Sequence, residues 1–509
     1  MLSDPLLARR VRLPARMRGC GYRTLELLAH VAYAASFVET AEAMVGTPTA
    51  EGFFSMLAPF FGTAAGFAAT RFLYASHTHP AAMPLSFTEF EVAWAHLQLM
   101  VAGAAVTGPL DVAAAQAGER RGTDRLQRSI TAQIEQVERD ALHRVIAQLD
   151  VRDPRREAWY AGDRLSSQLV SSWPTPALEC EADAWREMFT TYLGAQSPAC
   201  RPLVGRTIPV ASGVVVCDVY GRRVSSVCLP VETWDACHDA IVGHIDELML
   251  SSGFRPQREP VTRGIFTTLL PPPLLMQSWG RPGVIPDLVA DVPMPAIASA
   301  RGARSGAVLP SRRLLWDVKT MYGGTLQYTG SARAREDQSG AVAARAARVW
   351  PAYLAHAVRL DTAHSPPGTT PIEDRLRSYT PTRALVFGSY GEGSTDVHTL
   401  LAAAASAQAR RVWRRWGSRT ESEARGVIMA TMRRAMGVFV SREFARHRLR
   451  RIPMVGVPRA VLDARRGRSY GGAVMRAGVR MGQGAVSAQD FFAFQAHAAH
   501  GAGGLVAAR

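Results

Sequence analysis

One run, Leu314-Leu315-Trp316-Asp317-Val318-Lys319-Thr320, constrains this chain more than any other feature, because it sets an acid and an amine two positions apart in an apolar segment. Residues two apart on a β-strand point to the same face, so Asp317 and Lys319 project together while Val318 packs the other way. Upstream, Val284-Ile285-Pro286-Asp287-Leu288-Val289-Ala290-Asp291-Val292 reads as a second strand from its β-branched and apolar content, with Pro286 near the start, where a missing N–H is tolerated. If the two strands pair, Asp287 and Asp317 meet. Hard oxygen ligands of this kind suit Mg²⁺ or Mn²⁺, ions that polarise a phosphodiester and lower the pKa of a bound water. Lys319 would hold that water or offset charge developing on the phosphate.

The surrounding pattern supplies context. Thr233 to Leu250 reads as a helix with Trp234, Cys237, Ile241, Ile245 and Leu248 on one face and Asp239 and Asp246 off it. After Lys319 come a helical segment, Gly340 to Asp361, a strand, Arg383 to Gly388, and a helix from about Asp396. Helix, hairpin, strand, helix, strand, with Pro-Asp and Asp-x-Lys on the strands, resembles the PD-(D/E)xK nuclease superfamily, the restriction-endonuclease-like fold. The succession Val284 to Leu288, Trp316 to Lys319, Val349-Trp350-Pro351-Ala352-Tyr353 and Leu385 to His398 is similar to nuclease-like segments of retroelements of algae and other eukaryotes, over about residues 195 to 455. No Tyr/Phe-x-Asp-Asp of a reverse transcriptase is visible in an apolar hairpin context.

The resemblance implies an α/β fold, a central mixed sheet flanked by helices, and a magnesium-dependent nuclease, a DNA endonuclease of mobile-element origin. Asp287 and Asp317 would bind the metal, with the Val318 carbonyl adding a ligand, and Lys319 would orient the nucleophilic water. Glu247 or Asp246 on the first core helix is a further candidate acid. Arg345, Arg348 and Tyr353 share the helical face that meets substrate phosphate in many members of the superfamily; core packing of Tyr353 is the alternative. The superfamily more often carries Glu where Asp317 stands. The alternative function is a catalytically inactive nucleic-acid-binding protein on the same fold.

A formal charge of +16 favours a polyanionic partner, nucleic acid first and an anionic membrane surface second, and the resemblance implies DNA ahead of RNA. Thirteen arginines lie between Arg410 and Arg451 against Glu421, Glu423 and Glu443. They fall on two expected helices, Asp396 to Trp416 and Glu421 to Ile452, the second with a break at Gly437. Arg410, Arg411, Arg414 and Arg415 crowd the end of the first, either as a solvated, dipole-complementing face or as backbone contacts to nucleic acid. The loop Phe387 to Ser394 reads as a βα turn with Ser394 or Thr395 as N-cap, or as a phosphate cradle.

The expected layout is a basic tail (1–23), an α-helical domain (24–175) that includes an amphipathic helix from Arg125 to Asp150, the nuclease-like domain (195–400), a basic helical extension (401–465) and a Gly/Ala-rich tail (466–509). Linkers are expected near Asp150 to Arg156 and Ser171 to Pro176, and long loops over Pro293 to Arg313 and His364 to Pro371. Gly52 to Thr70 is uncharged, yet its Pro59, Gly62 and Gly66 favour buried core, so no stable membrane insertion is expected. Six cysteines without a disulfide framework and no secretory signal point to an intracellular protein, nuclear in a eukaryotic host. Cys200, Cys217, Cys228, Cys237 and His238 flank an expected hairpin turning at Tyr220-Gly221, but lack Cys-x-x-Cys spacing, so zinc is not expected. A homodimer is compatible with this reading.

Overall fold

The computed structural model describes residues 4–22, 124–172, 178–210, 213–227, 229, 234–258, 286–293, 311–324, 340–379 and 381–461. Gly52 to Thr70, most of the 24–175 region, the loop between Pro293 and Ser311 and the tail after Arg465 lie outside them. The chain divides into two compact units, Met1–Leu149 and Asp150–Arg509. In the first, α1 (Pro5–Arg12) begins at Asp4, whose Oδ1 accepts the Leu6 N–H at 2.9 Å, with Pro5 in the first turn, where a missing N–H costs nothing. Arg9 and Arg16 reach Glu138 and Glu135 on α2 (Asp124–Ala147) at 2.6 and 2.7 Å. The basic first residues are thus a helix tied by ion pairs rather than a tail.

The second unit is an α/β assembly. Its helices before the sheet are α3 (Pro154–Ala161), α4 (Gln168–Ser171) and α5 (Ala182–Leu193). A hairpin follows, β1 (Thr207–Val210) with β2 (Gly213–Val216). The turn expected at Tyr220-Gly221 instead opens the short α6 (Arg222–Ser226): the Asp218 carboxylate collects the N–H groups of Tyr220, Arg222 and Arg223, and Gly221 sits at φ 68. Then come α7 (Trp234–Ser251), β3 (Gln257–Arg258), β4 (Leu288–Pro293) and β5 (Ser311–Met321). α8 (Gly340–Ala347), α9 (Val349–His364) and α10 (Pro371–Ser378) lead to β6 (Arg383–Gly388), and α11 (Thr395–Val412) and α12 (Glu421–Arg451) close the unit. The single helix expected over Gly340 to Asp361 divides at Arg348, as Pro351 has no N–H to bond back to Ala347.

The mixed sheet has the order β3-β4-β5-β6, antiparallel except between β5 and β6. β5 is central, so alternation along it feeds two cores. Trp316 and Val318, with Leu288, Ala290, Leu385 and Phe387, pack under α7, α11 and α12. Leu315 and Met321, with Val289, Ala384 and Val386, pack under α3, α8, α9 and α10 on the other face. The helices expected as a basic extension are therefore part of the main core: Leu401, Ala404, Ile428, Met432 and Phe444 complete it.

α12 runs unbroken through Gly437. Glycine is required there by a close approach, since a Cβ would lie 2.4 Å from the Leu165 carbonyl oxygen. Gly437→Ala should therefore destabilise the fold by about 1–3 kcal/mol, the usual cost of overpacking, seen as a lower urea midpoint with an unchanged slope.

Candidate active site

The register sets Leu288 opposite Trp316, so Asp287, one residue before β4, extends that pairing toward Asp317. The Asp287 Oδ2 accepts the Val318 N–H at 2.6 Å. Val318 therefore turns its backbone polar groups toward β4, and the residue the register would set against it is Pro286, which has no N–H to give the Val318 carbonyl. Proline here keeps a backbone acceptor available beside two carboxylates. The Val318 side chain is fully buried in the core on the opposite face.

Asp317 is the group under most constraint, with its side chain 2% exposed. Its Oδ1 accepts from Lys319 Nζ at 2.8 Å and from the Tyr353 hydroxyl at 2.9 Å. Lys319 Nζ also lies 2.7 Å from Oδ2, yet that oxygen receives no well-directed hydrogen bond. Burial, resisted by Lys319, pushes the Asp317 pKa up to about 6. Burial also acts on Asp287, but His238, Lys319 and the Val318 N–H outweigh it and hold its pKa below the ordinary carboxylate value. One acid thus gives up its proton more readily than an ordinary carboxyl, while its neighbour keeps its proton up to about pH 6.

His238, on α7, brings Nε2 to 3.4 Å from Asp287 Oδ2 and Nδ1 to 3.2 Å from Asp239. Against the opposing effect of burial, these acids raise its pKa to about 10. Sequence reasoning grouped His238 with the cysteines. A better signal was its place one residue after Cys237, at the edge of the buried α7 stripe.

The other expected site residues are distributed as follows. Glu247 is exposed on α7 and is not among the contacts of Asp287, Asp317 or Lys319; Asp246 pairs with Arg258 at 2.9 Å. α7 delivers His238 to the site in place of either acid. Tyr353 is buried and bound to Asp317, so it positions a carboxylate rather than facing phosphate. Arg345 is half-buried, and Arg348 is exposed and bonded back to the Ala344 carbonyl. Arg410 pairs with Glu421 at 3.4 Å, Arg411 donates to the Ser251 carbonyl, Arg414 stacks 5.1 Å over Trp413, and Arg415 is exposed. Of these four, Arg411 sits at the far end of α7 from His238. The loop after β6 meets its own acids: Asp163 takes the Gly393 N–H at 3.0 Å and Glu392 the Tyr390 N–H at 3.1 Å, which fits the βα-turn reading and not the phosphate cradle.

A compositional fact gives Lys319 weight. Of 59 cationic side chains, 58 are arginine and one, Lys319, is lysine. Whatever bias favours arginine elsewhere, the single exception is the amine on Asp317.

Among the described residues, no three His, Cys, Asp or Glu side chains converge on a metal position, and no helix is long and apolar enough to cross a membrane. Cys200 and Cys217 share a small core with Ile208 and Val224 as free thiols, and Cys237 lies in the core under α7. Comparison with protein-family models, curated proteins and solved structures finds no match to this chain.

Because the folded pKa of Asp317 lies above the free value of about 3.9, this group favours folding most strongly below pH 4. Its contribution is lost as pH rises through about 6. Asp317→Asn removes the buried charge, so its stability relative to wild type should improve by about 1–3 kcal/mol between pH 4 and 7.5 in parallel urea titrations. A pH-independent difference would mean that Lys319 and Tyr353 fully compensate the charge.

Proposed function

We propose that this protein is a magnesium-dependent nuclease of the restriction-endonuclease-like class, hydrolysing phosphodiester bonds in DNA. The observation that carries this is the placement of the chain's one lysine on a buried carboxylate two residues before it, with a second carboxylate on the adjoining strand. The element order α7, β3–β5, α8–α10, β6, α11 supports the same reading.

The donor set fits the metal. Asp317 Oδ2 is buried without a directed hydrogen bond, the Asp287 pKa is held low, and Val318, whose N–H goes to Asp287, lies beyond the last β4–β5 ladder pair. Two carboxylates and a carbonyl are hard donors. Mg²⁺ is commonly held by one or two carboxylates, with waters and phosphate oxygens completing its octahedron. Bound there, the ion would supply Lewis acidity toward the phosphodiester and make a bound water more acidic.

The chain's own groups do the rest. Tyr353 fixes the Asp317 rotamer through Oδ1, leaving Oδ2 for the ion. His238 restrains Asp287 from the other side. Lys319, 33% exposed, reaches solvent and can orient the attacking water while stabilising charge on the phosphate. An ammonium suits this better than a guanidinium, being a compact point charge on a flexible stem.

Wild type should nick supercoiled plasmid in Mg²⁺, and Asp317→Asn and Lys319→Ala should each lose at least about a hundredfold in rate. A second readout uses the lone lysine: ¹³C reductive methylation should give one ε-dimethylamino resonance, broadened by Mn²⁺ in wild type and unaffected in Asp287→Asn/Asp317→Asn. A chain that binds DNA, cuts none and keeps a sharp resonance in Mn²⁺ would be the catalytically inactive nucleic-acid-binding protein instead.

A further inference from the structure

The distance between the carboxylate pair and the exposed arginines can be read along two helices. On α7, His238 meets Asp287 and the Ser251 carbonyl meets Arg411. At about 1.5 Å per residue, some 20 Å of helix separates those two contacts. On the other route, Asp317 is in register with Ala384, whose N–H donates to Asp396 Oδ2 at 3.0 Å, and Asp396 begins the helix that ends in the arginines. From Asp396 to Arg410 the same rise gives about 21 Å. The two rulers agree.

The arginines at that end divide by task. Arg410 is held by Glu421, and Arg411 lies against the loop after α7, where a Cβ on Gly253 would be 3.0 Å from its Nη1. Arg414 and Arg415 are exposed, with Arg414 splayed over the Trp413 ring; exposed Arg419 follows them, and exposed Arg255 follows the Ser251 that Arg411 contacts. Between the two ends the charges along α7 are mixed: Asp239 and Glu247 stand on the helix itself, while Arg258 pairs with Asp246 and lies 3.3 Å from where a Cβ on Gly243 would be. A stiff polyanion can bridge the two ends without following that surface.

We infer that Arg414 and Arg415 form a remote backbone clamp for double-stranded DNA, so that a productive substrate extends at least about six base pairs from the scissile phosphate toward them. The length follows from about 20 Å divided by about 3.4 Å per base pair. Duplex stiffness, with a persistence length of about 150 base pairs, makes the two contacts act together. The inference rests on the nuclease reading for the position of the scissile phosphate, but the clamp has its own binding signature.

The test measures affinity of the full chain for blunt DNA duplexes of increasing length by fluorescence anisotropy in Ca²⁺, across a salt series, for wild type and Arg414→Ala/Arg415→Ala. Cleavage of the same duplexes is followed in Mg²⁺. Each backbone arginine adds about one unit to the slope of log affinity against log salt. Below about six base pairs the two proteins should share one slope. Above it, wild type should be steeper by about two units, with the melting temperature of the variant unchanged.

Equal slopes at every length would overturn the clamp, as would the same length-dependent step on single-stranded DNA or RNA. If the step appears and nothing is cut, the clamp stands and the catalytic reading falls. Cleavage without the step sinks the clamp and leaves the catalytic reading intact.

Discussion

A carboxylate placed on the central strand of the sheet organises the second unit. Asp317 is 1% exposed and stands between Trp316 and Val318, both core residues. An unsatisfied ionised group in such a place would cost several kcal/mol, so partners have to be brought to it. α9 carries Tyr353 to Oδ1, Lys319 folds back from the next position on the same face, and the β4 entry places Asp287 on the adjoining backbone. The crossover from β5 to β6 packs its helices on the face that bears Asp317. A well-packed apolar residue at this position would avoid the desolvation cost of the acid, so the carboxylate stands there at the expense of stability.

The same constraint explains what was legible in sequence. Strand alternation is local, so Asp317 and Lys319 on one face and Val318 on the other follow from spacing two. The buried stripe of α7 is likewise local, with Cys237, Ile241, Ile245 and Leu248 at helical intervals. Features set by partners distant in sequence were not legible. Gly437 reads as a helix break unless the Leu165 carbonyl is known to lie against it. Tyr353 reads as a phosphate contact or as core until its hydroxyl is seen on Asp317, and His238 reads as part of a cysteine cluster until α7 docks on the sheet. The turn at Tyr220-Gly221 failed for a subtler reason: Asp218 offers three backbone N–H groups a better partner than a strand ladder does.

Charge counts mislead in the same way. The thirteen arginines from Arg410 to Arg451 read as one basic surface, yet from Arg433 onward all but Arg450 are half-buried or buried. Glu443, almost buried, holds Arg446 and Arg450 at 2.9 and 3.2 Å, and Arg448 is tied to Glu187 and Ser225. Arg451 is fully buried, donating to the Ser225 and Val227 carbonyls. These guanidinium groups link α12 to α5 and α6, and removing one would leave buried acceptors unmet. The exposed arginines of the run gather toward its N-terminal half, at Arg410, Arg411, Arg414, Arg415, Arg419 and Arg425.

That division sharpens the meaning of the one lysine. Guanidinium serves this chain wherever a cation must be fixed in a plane, as against Glu187 or the carbonyls of α6, because its fork makes several directed bonds at once. On Asp317 the requirement differs. The cation lies within 2.7 to 2.8 Å of a buried carboxylate while its side chain stays one third exposed. An arginine at this position would keep the charge but set a larger, planar group with fixed donor directions against Asp317. Lys319→Arg is therefore not a conservative change here.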